Sequence, residues 1–386
     1  MRLKALVSNP TDKINDPDRP YIALEHLESG TGRLLSGAEL EGKVADDSVA
    51  HEAGDVRFGK LRPYLAKSFL AEAPGAGSGE LLVLRPGPLL LSRYLWYVVQ
   101  SQPFVDWAVA TSYGVKMPRT SWDAIGAFEI EPPSLDDQRR ILGLLDTETA
   151  RIDELIDEQR RQLDLGVERL VSLREDLLTD RTDVRSVPLQ QLTDPARPIV
   201  YGIVQAGPEV PDGVPYIKTG DVKHLDVERL SRTSPEIDAA YGRARVVPGD
   251  IVMAMRASIG AVVQIPDELP VANLTQGTAR IAPRVGVNPR WLLSALQTQA
   301  VQQEARVRAV GTTFLTLNIG DLRRLPVPAV PPEVQTELAV ALDRAESQSA
   351  AMAMEVNAQV RLLREHRQAL ISAAVTGGLD AVRKMA

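Results

Sequence analysis

The most informative stretch of the chain covers residues 134–180 and reads SLDDQRRILGLLDTETARIDELIDEQRRQLDLGVERLVSLREDLLTD. Ser134 followed by Asp137 resembles a capping box at a helix start, directly after a double proline. No proline interrupts the remainder of the stretch. Apolar residues recur at steps of seven, with Val167 and Leu173 between them: Ile156, Leu163, Leu170 and Leu177. A helix of about 45 residues would be roughly 65–70 Å long, and an amphipathic helix of that length needs a partner helix.

A second stretch of this kind covers residues 333–386, with apolar positions at Leu338, Leu342, Ala345, Met352, Val356, Leu363 and Leu370. We expect the two helices to pack antiparallel as a coiled coil. The residues predicted at that interface are Leu145, Ile152, Ile156, Leu163, Leu170, Leu177, Leu342, Val356, Leu363 and Leu370. The alternative interpretation is a pair of ordinary core helices in a larger domain, although helices of globular proteins average only about 11–12 residues.

The two stretches belong to an internal repeat with a period near 197 residues. Its matched positions include Gly54 with Gly249, Gln138 with Gln335, Asp146 with Asp343, and Arg174 with Arg367. The first three pairs are 195 to 197 residues apart, and the last pair is 193 apart. The spacing between matched residues thus falls by four, from 197 to 193. Four residues are about one helical turn, so the matched residues remain on the same face of the helix. The chain is therefore a duplicated module, and each module has two parts.

The first part of each module mixes short strands with short helices. Apolar runs such as 81–84 and 251–253 alternate with Gly and Pro punctuation, and segments 91–100 and 291–304 have helical patterns. The predicted fold class is α/β (α+β): two globular domains separated by two long antiparallel coiled-coil helices, in a pseudo-twofold internal repeat. The predicted segments are a first domain (1–133), a spacer helix (134–182), a second domain (183–332) and a second spacer helix (333–386).

The composition excludes several kinds of site. The chain has no cysteine, hence no disulfide framework, thiolate nucleophile or zinc-thiolate site, and its four histidines are scattered. Phosphate-loop, nucleophile-elbow and methyltransferase motifs are absent from the sequence. We therefore expect no catalytic residue and no metal site in this chain. No apolar run reaches the ~18–20 residues of a membrane span, and the N-terminal residues lack the apolar core of a signal peptide, so we expect a soluble intracellular protein.

The charge is distributed unevenly along the chain. The net charge is −7, and residues 134–182 carry −5 of it, whereas residues 183–332 carry +2 and residues 1–133 carry −3. An acidic total argues against a nucleic-acid binder, but only weakly, because binding depends on a local patch. The acidic first domain would therefore have to gather its basic residues on one face.

Basic and aromatic residues cluster in the first domain between positions 57 and 67. The candidate binding residues there are Arg57, Lys60, Arg62, Tyr64 and Lys67. A second cluster contains Tyr113, Lys116 and Arg119 around Gly114. Lys and Arg at such positions can contact phosphates, and Tyr can stack on bases. The alternative is a strand and turn with solvated basic residues.

The second domain has different polar residues on the same frame. Its candidates are Tyr201, Gln205, Lys218, Arg243, Arg256, Ser258, Asn273, Gln276, Thr312 and Thr313. Amide and hydroxyl side chains of this kind suit hydrogen bonds to base edges. A common frame with unlike polar residues indicates recognition of two different sequences.

Taken in order, these strings resemble the specificity (S) subunit of type I restriction–modification systems, over nearly the whole chain. The strings that carry the resemblance are 21–27, 54–65, 114–119, 201–205, 249–260, 311–318 and 367–377, together with the double prolines and Gln138. The resemblance implies two target-recognition domains, each reading one half of a split, asymmetric site in double-stranded DNA. The two long helices would hold these domains apart.

The resemblance also implies partners. Two methyltransferase (M) subunits would dock on this chain and carry S-adenosylmethionine, and a restriction (R) subunit would add ATP- and Mg-dependent steps in the cytoplasm, while this chain would bind no cofactor. Two alternatives remain at this stage. One is the specificity module of a phage-defence methyltransferase without a cleaving subunit. The other is a coiled-coil scaffold with two peptide-binding domains and no DNA.

Overall fold

The computed structural model describes residues 1–386 except 15, 17–18, 36–47, 181, 312–314 and 386, and the side chains of 378–385 are also outside the description. The chain divides into two compact units. Unit 1 comprises Met1–Arg161 and Glu355–Ala386, and unit 2 comprises Gln162–Met354. Each unit therefore contains one mixed domain and a portion of each long helix.

Within its described residues, unit 1 begins with seven short strands. They are β1 (Val7–Ser8), β2 (Tyr21–Ile22), β3 (Val49–His51), β4 (Val56–Gly59), β5 (Ser68–Leu70), β6 (Gly75–Gly77) and β7 (Leu81–Pro86). Helices follow at α1 (Ser92–Gln100), α2 (Gln102–Ala110), α3 (Trp122–Ile125) and α4 (Leu135–Leu178), the last of which continues into unit 2. The main sheet is antiparallel, in the order β1-β7-β4-β5, and a smaller sheet has the order β2-β6-β3. The core of unit 1 contains aromatic side chains of α1, α2 and β4, including Tyr94, Phe104 and Phe58.

Unit 2 contains the remaining strands. They are β8 (Arg185–Pro188), β9 (Val200–Tyr201), β10 (Val214–Ile217), β11 (Arg232–Thr233), β12 (Ile251–Ala254), β13 (Val262–Gln264), β14 (Asn273–Leu274), β15 (Thr278–Ile281) and β16 (Pro326–Ala329). The helices are α5 (Pro235–Ala240), α6 (Pro289–Leu296), α7 (Gln299–Val307), α8 (Ile319–Arg323) and α9 (Pro332–Met385), the last of which continues into unit 1. The sheets have the orders β13-β12-β15-β9, β11-β10-β14 and β16-β8. Short 3₁₀ turns occur in both units at Leu3–Ala5, Leu24–His26, Pro63–Leu65, Leu189–Gln191, Val227–Arg229 and Gly242–Ala244.

The internal repeat is present in the backbone. In unit 1, β4 pairs antiparallel with β7 with Val56 opposite Leu84, and in unit 2, β12 pairs antiparallel with β15 with Ile251 opposite Ile281. These matched strands are 195 and 197 residues apart in the sequence. The predicted repeat therefore reflects two copies of one sheet, each with the same pairing register.

The joint between domain and helix is duplicated as well. In unit 1, the Leu91 N–H donates to Gln138 Oε1 at 2.9 Å, and in unit 2, the Asn288 N–H donates to Gln335 Oε1 at 2.9 Å. Two residues farther on, an arginine binds an aspartate of the long helix in each unit: Arg93 with Asp146, and Arg290 with Asp343. All four matched pairs are 197 residues apart. The glutamine detected in the sequence repeat thus fixes the domain to the start of its helix.

The long helices run antiparallel within each unit. In unit 1, Arg367 of α9 binds Asp153 of α4 at 3.1 Å. Arg160 of α4 and Arg364 of α9 both bind Glu28. Between these two contacts the residue number rises along α4 and falls along α9, so the two helices run in opposite directions. In unit 2, Arg174 binds Glu346 at 3.1 Å. Farther along α4 there, Leu178 joins an apolar cluster with residues nearer the start of α9, namely Leu338, Ala339 and Leu342.

The apolar stripe is buried at most of its predicted positions. Fully buried members are Leu145, Ile152, Ile156, Leu342, Val356 and Leu370, and half-buried members are Leu163, Leu170, Leu177 and Leu363. Val167 and Leu173, which lie between the heptad positions, are 61% and 37% exposed and flank the narrow seam between 163 and 177. The capping box is present, with the Asp137 N–H donating to Ser134 Oγ.

α4 and α9 occupy the two stretches that the sequence predicts as helices, and the α/β class with long antiparallel helices is confirmed. The four-segment division of the chain remains a prediction, because the compact units divide both long helices between them. Among the described residues, no helix combines the length and apolar character needed to cross a membrane.

Candidate nucleic-acid interface

A short hairpin projects from unit 1 beside the end of β4. Tyr113 and Arg119 exchange both backbone hydrogen bonds at 2.9 Å, and they close a tight loop between them. The hairpin is attached to the segment after β4, because the Arg62 N–H donates to the Pro118 carbonyl at 2.7 Å and the Thr120 N–H donates to the Lys60 carbonyl at 2.9 Å. The two basic clusters predicted from the sequence therefore lie side by side.

The segment after β4 has a strained backbone. Arg62 has φ 50° and Ala66 has φ 46°, both in the left-handed region that side chains other than glycine rarely adopt. Each such residue costs on the order of 1 kcal/mol or more, and such strain clusters at binding sites. Here it turns the chain sharply around Pro63–Leu65, which leaves Arg62 and Tyr64 exposed.

Unit 2 repeats this arrangement with other side chains. Val310 and Thr316 exchange backbone hydrogen bonds at 3.0 and 2.9 Å, and the Leu317 N–H donates to the Met255 carbonyl at 2.9 Å. Ala257 has φ 54° and stands 195 residues after Arg62. A strained residue in the same turn of both copies indicates that the turn serves the same role in each unit.

A basic cleft opens beside the strained turn of unit 2. Its volume is about 1070 Å³, and its polar lining consists of Lys223, Arg256, Ser258, Gln302, Arg306 and Thr316. Three of these side chains are cationic, and no carboxylate lines the cleft among the residues that the structure describes. Over the same residues, Lys223, Arg256 and Arg306 form no ion pair, so their charge is available to an anionic ligand.

The structure places most of the predicted binding residues at the surface. The exposed ones are Arg62, Tyr64, Tyr113, Lys116, Tyr201, Gln205, Lys218, Arg243 and Arg256, and the half-buried ones are Lys60, Lys67, Arg119, Ser258 and Gln276. Some of them have internal partners. Lys67 Nζ donates to the Leu24 carbonyl, Arg119 binds Glu80 at 3.0 Å, and Lys218 Nζ donates to Ser231 Oγ.

Two predicted binding residues are buried and must be corrected. Arg57 is fully buried, and its guanidinium donates to the Val49 and Ser78 carbonyls at 3.1 Å. Burial lowers the pKa of Arg57 to about 10. Asn273 is also fully buried and donates to Asp238 Oδ1 at 2.8 Å. Both side chains hold neighbouring segments in place, and a ligand at the surface cannot reach them.

The remaining two candidates, Thr312 and Thr313, lie outside the described residues. Three residues that line the cleft of unit 2 are absent from the sequence-based prediction: Lys223, Gln302 and Arg306. Gln302 and Arg306 stand four residues apart on α7, and residues at this spacing share one helix face, so the pair could have been found from the helical period. Lys223 lies in a loop and carries no such signal.

Some basic residues of the first domain are paired internally and others are not. Arg85 forms two hydrogen bonds of 2.7 Å with the buried Asp55, and Glu80 binds Arg119. The side chains of Lys60, Arg62 and Lys116, by contrast, have no carboxylate partner within the described part of the chain. Their positive charge is therefore local to the hairpin. Over the described residues, no group of three potential ligands is placed to hold a metal ion.

No protein-family model matches the chain. Among curated proteins, it is similar to the type I restriction enzyme EcoBI specificity subunit of Escherichia coli, with 26% identity over 280 residues, 64% of this chain and 58% of that protein. It is also similar to the EcoDI specificity subunit of Escherichia coli, with 22% identity over 175 residues, 45% of this chain and 38% of that protein. The matches thus span 58% and 38% of the length of these curated relatives.

Two solved structures share the fold over nearly the whole length. One is a chain from a study of complex assembly and conformational transition of the type I R-M system, with TM-score 0.74, 21% identity and coverage of 98% of this chain and 97% of that one. This chain resembles the type I specificity subunits. The HsdS subunit of Thermoanaerobacter tengcongensis has TM-score 0.50 and 20% identity, and the match covers 98% of this chain and 96% of that subunit. The predicted resemblance to type I specificity subunits is confirmed, and these comparisons do not favour the alternatives.

Proposed function

We propose that this chain is the sequence-specific DNA-binding subunit of a type I restriction–modification complex, reading a bipartite, asymmetric site. One observation carries the proposal: the same strained turn and hairpin occur in both units, but the side chains that they present differ. Arg62 of unit 1 corresponds to Ala257 of unit 2, and Arg119 corresponds to Thr316. One frame with two sets of side chains is what two unlike half-sites require.

The division of labour follows from the chemistry of the exposed groups. Unpaired Lys and Arg side chains neutralise phosphates and set the register on the duplex, while Gln, Ser, Thr and some Arg side chains hydrogen-bond to base edges. In unit 2, the cleft brings Arg256 and Arg306 together with Ser258 and Thr316, so both types of contact are available within one site. The Gln302 amide, which also lines the cleft, donates to the Gly260 and Leu296 carbonyls.

The chemistry of the complex belongs to partner subunits. We propose that two methyltransferase subunits carry S-adenosylmethionine, that a restriction subunit carries ATP and Mg, and that this chain is not catalytic and binds no cofactor. The chain would act in the cytoplasm of a bacterium or archaeon, on the nucleoid. The sequence offers no nucleophile elbow, phosphate loop or cysteine that would support a reaction of its own.

A competition binding assay tests the proposal. The full chain, co-purified with its methyltransferase subunit, is titrated against a duplex with its own motif and against random duplex of equal length. We expect a preference of about 10³-fold or more for the motif. Arg256→Ala should reduce the preference, and the exposed Arg229→Ala, outside the cleft, should leave it unchanged. Equal affinity for both duplexes would contradict the proposal.

A further inference from the structure

We propose that the hairpin Tyr113–Arg119 of unit 1 reads thymine through its C5 methyl group, using the side chains of Val115 and Met117. The inference rests on the proposed function and deepens it, because it assigns a base and a contact chemistry to one of the two readers. Unit 2 would read its half-site chiefly with the polar and cationic groups of its cleft.

The tip of the hairpin is exposed. The side chain of Val115 is fully exposed and that of Met117 is 52% exposed, and both are apolar. Gly114 between the strands has φ 90°, and a Cβ there would lie 3.3 Å from the Met117 carbonyl oxygen, so the tight loop requires glycine. The backbone therefore holds two apolar side chains at the outer end of a short, hydrogen-bonded loop.

Basic residues lie beside the tip. Lys60, Arg62 and Lys116 flank the hairpin, and within the described residues none of them pairs with a carboxylate. An apolar tip ringed by unpaired cations suits a polyanionic partner. In the major groove of DNA, the thymine C5 methyl is the apolar group that a side chain can contact, and contacts from apolar side chains to it are a recognised mode of readout.

The two units differ at matched positions beside this hairpin. In unit 2, Arg256 lies at the position that Leu61 occupies in unit 1, and Arg306 lies at the position of Val109. These arginines line the cleft there with Gln302. At these two positions unit 1 is apolar where unit 2 is cationic, whereas Arg62 of unit 1 is matched by Ala257 of unit 2, so the two readers place their apolar and cationic groups at different positions of one frame.

The test replaces each thymine of the motif, one at a time, with deoxyuridine, which lacks only the C5 methyl group. Affinity is measured for the full chain with its methyltransferase subunit, as wild type and as Val115→Ser/Met117→Gln. We expect at least one replacement, confined to one half-site, to weaken wild-type binding about fourfold, the value of one buried methyl group. The same replacement should have no effect on the hairpin variant.

The control is Leu315→Ser, which alters an exposed leucine that lines the cleft of unit 2. Because it changes the other reader, it should retain the wild-type response to deoxyuridine at the thymine in question, whatever its effect on overall affinity. Specific binding that tolerates deoxyuridine at every position overturns the inference and leaves the proposed function intact. So does a hairpin variant that loses affinity equally for all duplexes, which would point to phosphate or protein contacts instead. Absence of any preference for the motif would overturn the proposed function itself.

Discussion

Arg57 of unit 1 and Arg280 of unit 2 belong to equivalent cross-strand residue pairs in the two copies of the sheet, but they lie on opposite strands of that pair. In unit 1, Arg57 on β4 faces Val83 on β7, and in unit 2, Val252 on β12 faces Arg280 on β15. Each arginine is buried, and each donates to two backbone carbonyls. The duplicated sheet thus keeps one buried guanidinium per copy but takes it from the other strand.

The first prediction concerns this buried arginine. Arg57→Met should lower the free energy of unfolding by about 2–4 kcal/mol, because the Val49 and Ser78 carbonyls lose charged donors in a buried site. Urea unfolding of the full chain measures the effect. Arg62→Met, at an exposed position of the same loop system, should change it by less than about 0.5 kcal/mol. A loss that is equal for the two variants would contradict this assignment.

The second prediction concerns the pairing of the long helices. Arg367 is 3% exposed and binds Asp153 as well as the carbonyls of Gly30 and Thr31. Arg367→Met should cost about 3–5 kcal/mol, since it leaves the largely buried Asp153 without its partner. Arg361→Met removes an exposed arginine that lies 3.9 Å from Glu365 and should cost less than about 0.5 kcal/mol. Thermal or urea unfolding separates the two outcomes, and a small effect at Arg367 would show that this ion pair does not hold the helices together.

The long helices and the buried polar residues of the domains differ in how far the sequence predicts them. The long helices, their capping box and the repeat were accessible, because a heptad stripe and matched glutamines leave a direct trace in the residue order. The burial of Arg57 and Asn273 was not, because their neighbours come from strands and loops distant in sequence. A basic residue in a polar string has the same sequence pattern whether it faces solvent or a backbone carbonyl.

The cleft of unit 2 contains some residues that the sequence predicts as binding residues and others that it does not. Arg256 and Ser258 were predicted as binding residues, and they line it. Lys223 reaches the same cleft from a separate loop, so only the folded chain brings it there. The helical spacing of Gln302 and Arg306 was present in the sequence, but nothing in the sequence alone marked that face of α7 as part of a binding surface.

The third prediction concerns the salt dependence of DNA binding. Lys60→Ala/Arg62→Ala should reduce the slope of log affinity against log salt concentration by about two, since two fewer counterions are released. Affinity for the motif, measured from low to moderate salt, gives the slope. Arg139→Ala/Arg140→Ala removes two exposed arginines of α4 that pair with Asp136 and Asp137, and serves as the charge-matched control. An unchanged slope for the first variant would remove the hairpin cations from the interface.

The fourth prediction concerns pH. Burial, with the nearby charge of Arg57, lowers the pKa of His51 from 6.5 to about 4. Between these values the unfolded chain takes up a proton that the folded chain excludes, so the stabilisation is complete above pH 6.5 and declines as the pH falls towards 4. The unfolding free energy should fall by about 2 kcal/mol from pH 7.5 to pH 5 through this group.

Replacing the group tests that assignment. His51→Phe should flatten the pH dependence over this interval, because phenylalanine does not titrate. A wild-type slope that persists in His51→Phe would assign the titration to other groups.

The most direct measurement for the central claim is methylome sequencing of a host that expresses this chain with its methyltransferase subunit. Two unlike readers, each on its own copy of one frame, predict a methylated motif with two different half-sites separated by unspecified base pairs. A continuous motif, or a palindromic one with identical halves, would contradict the claim that the two units read different sequences.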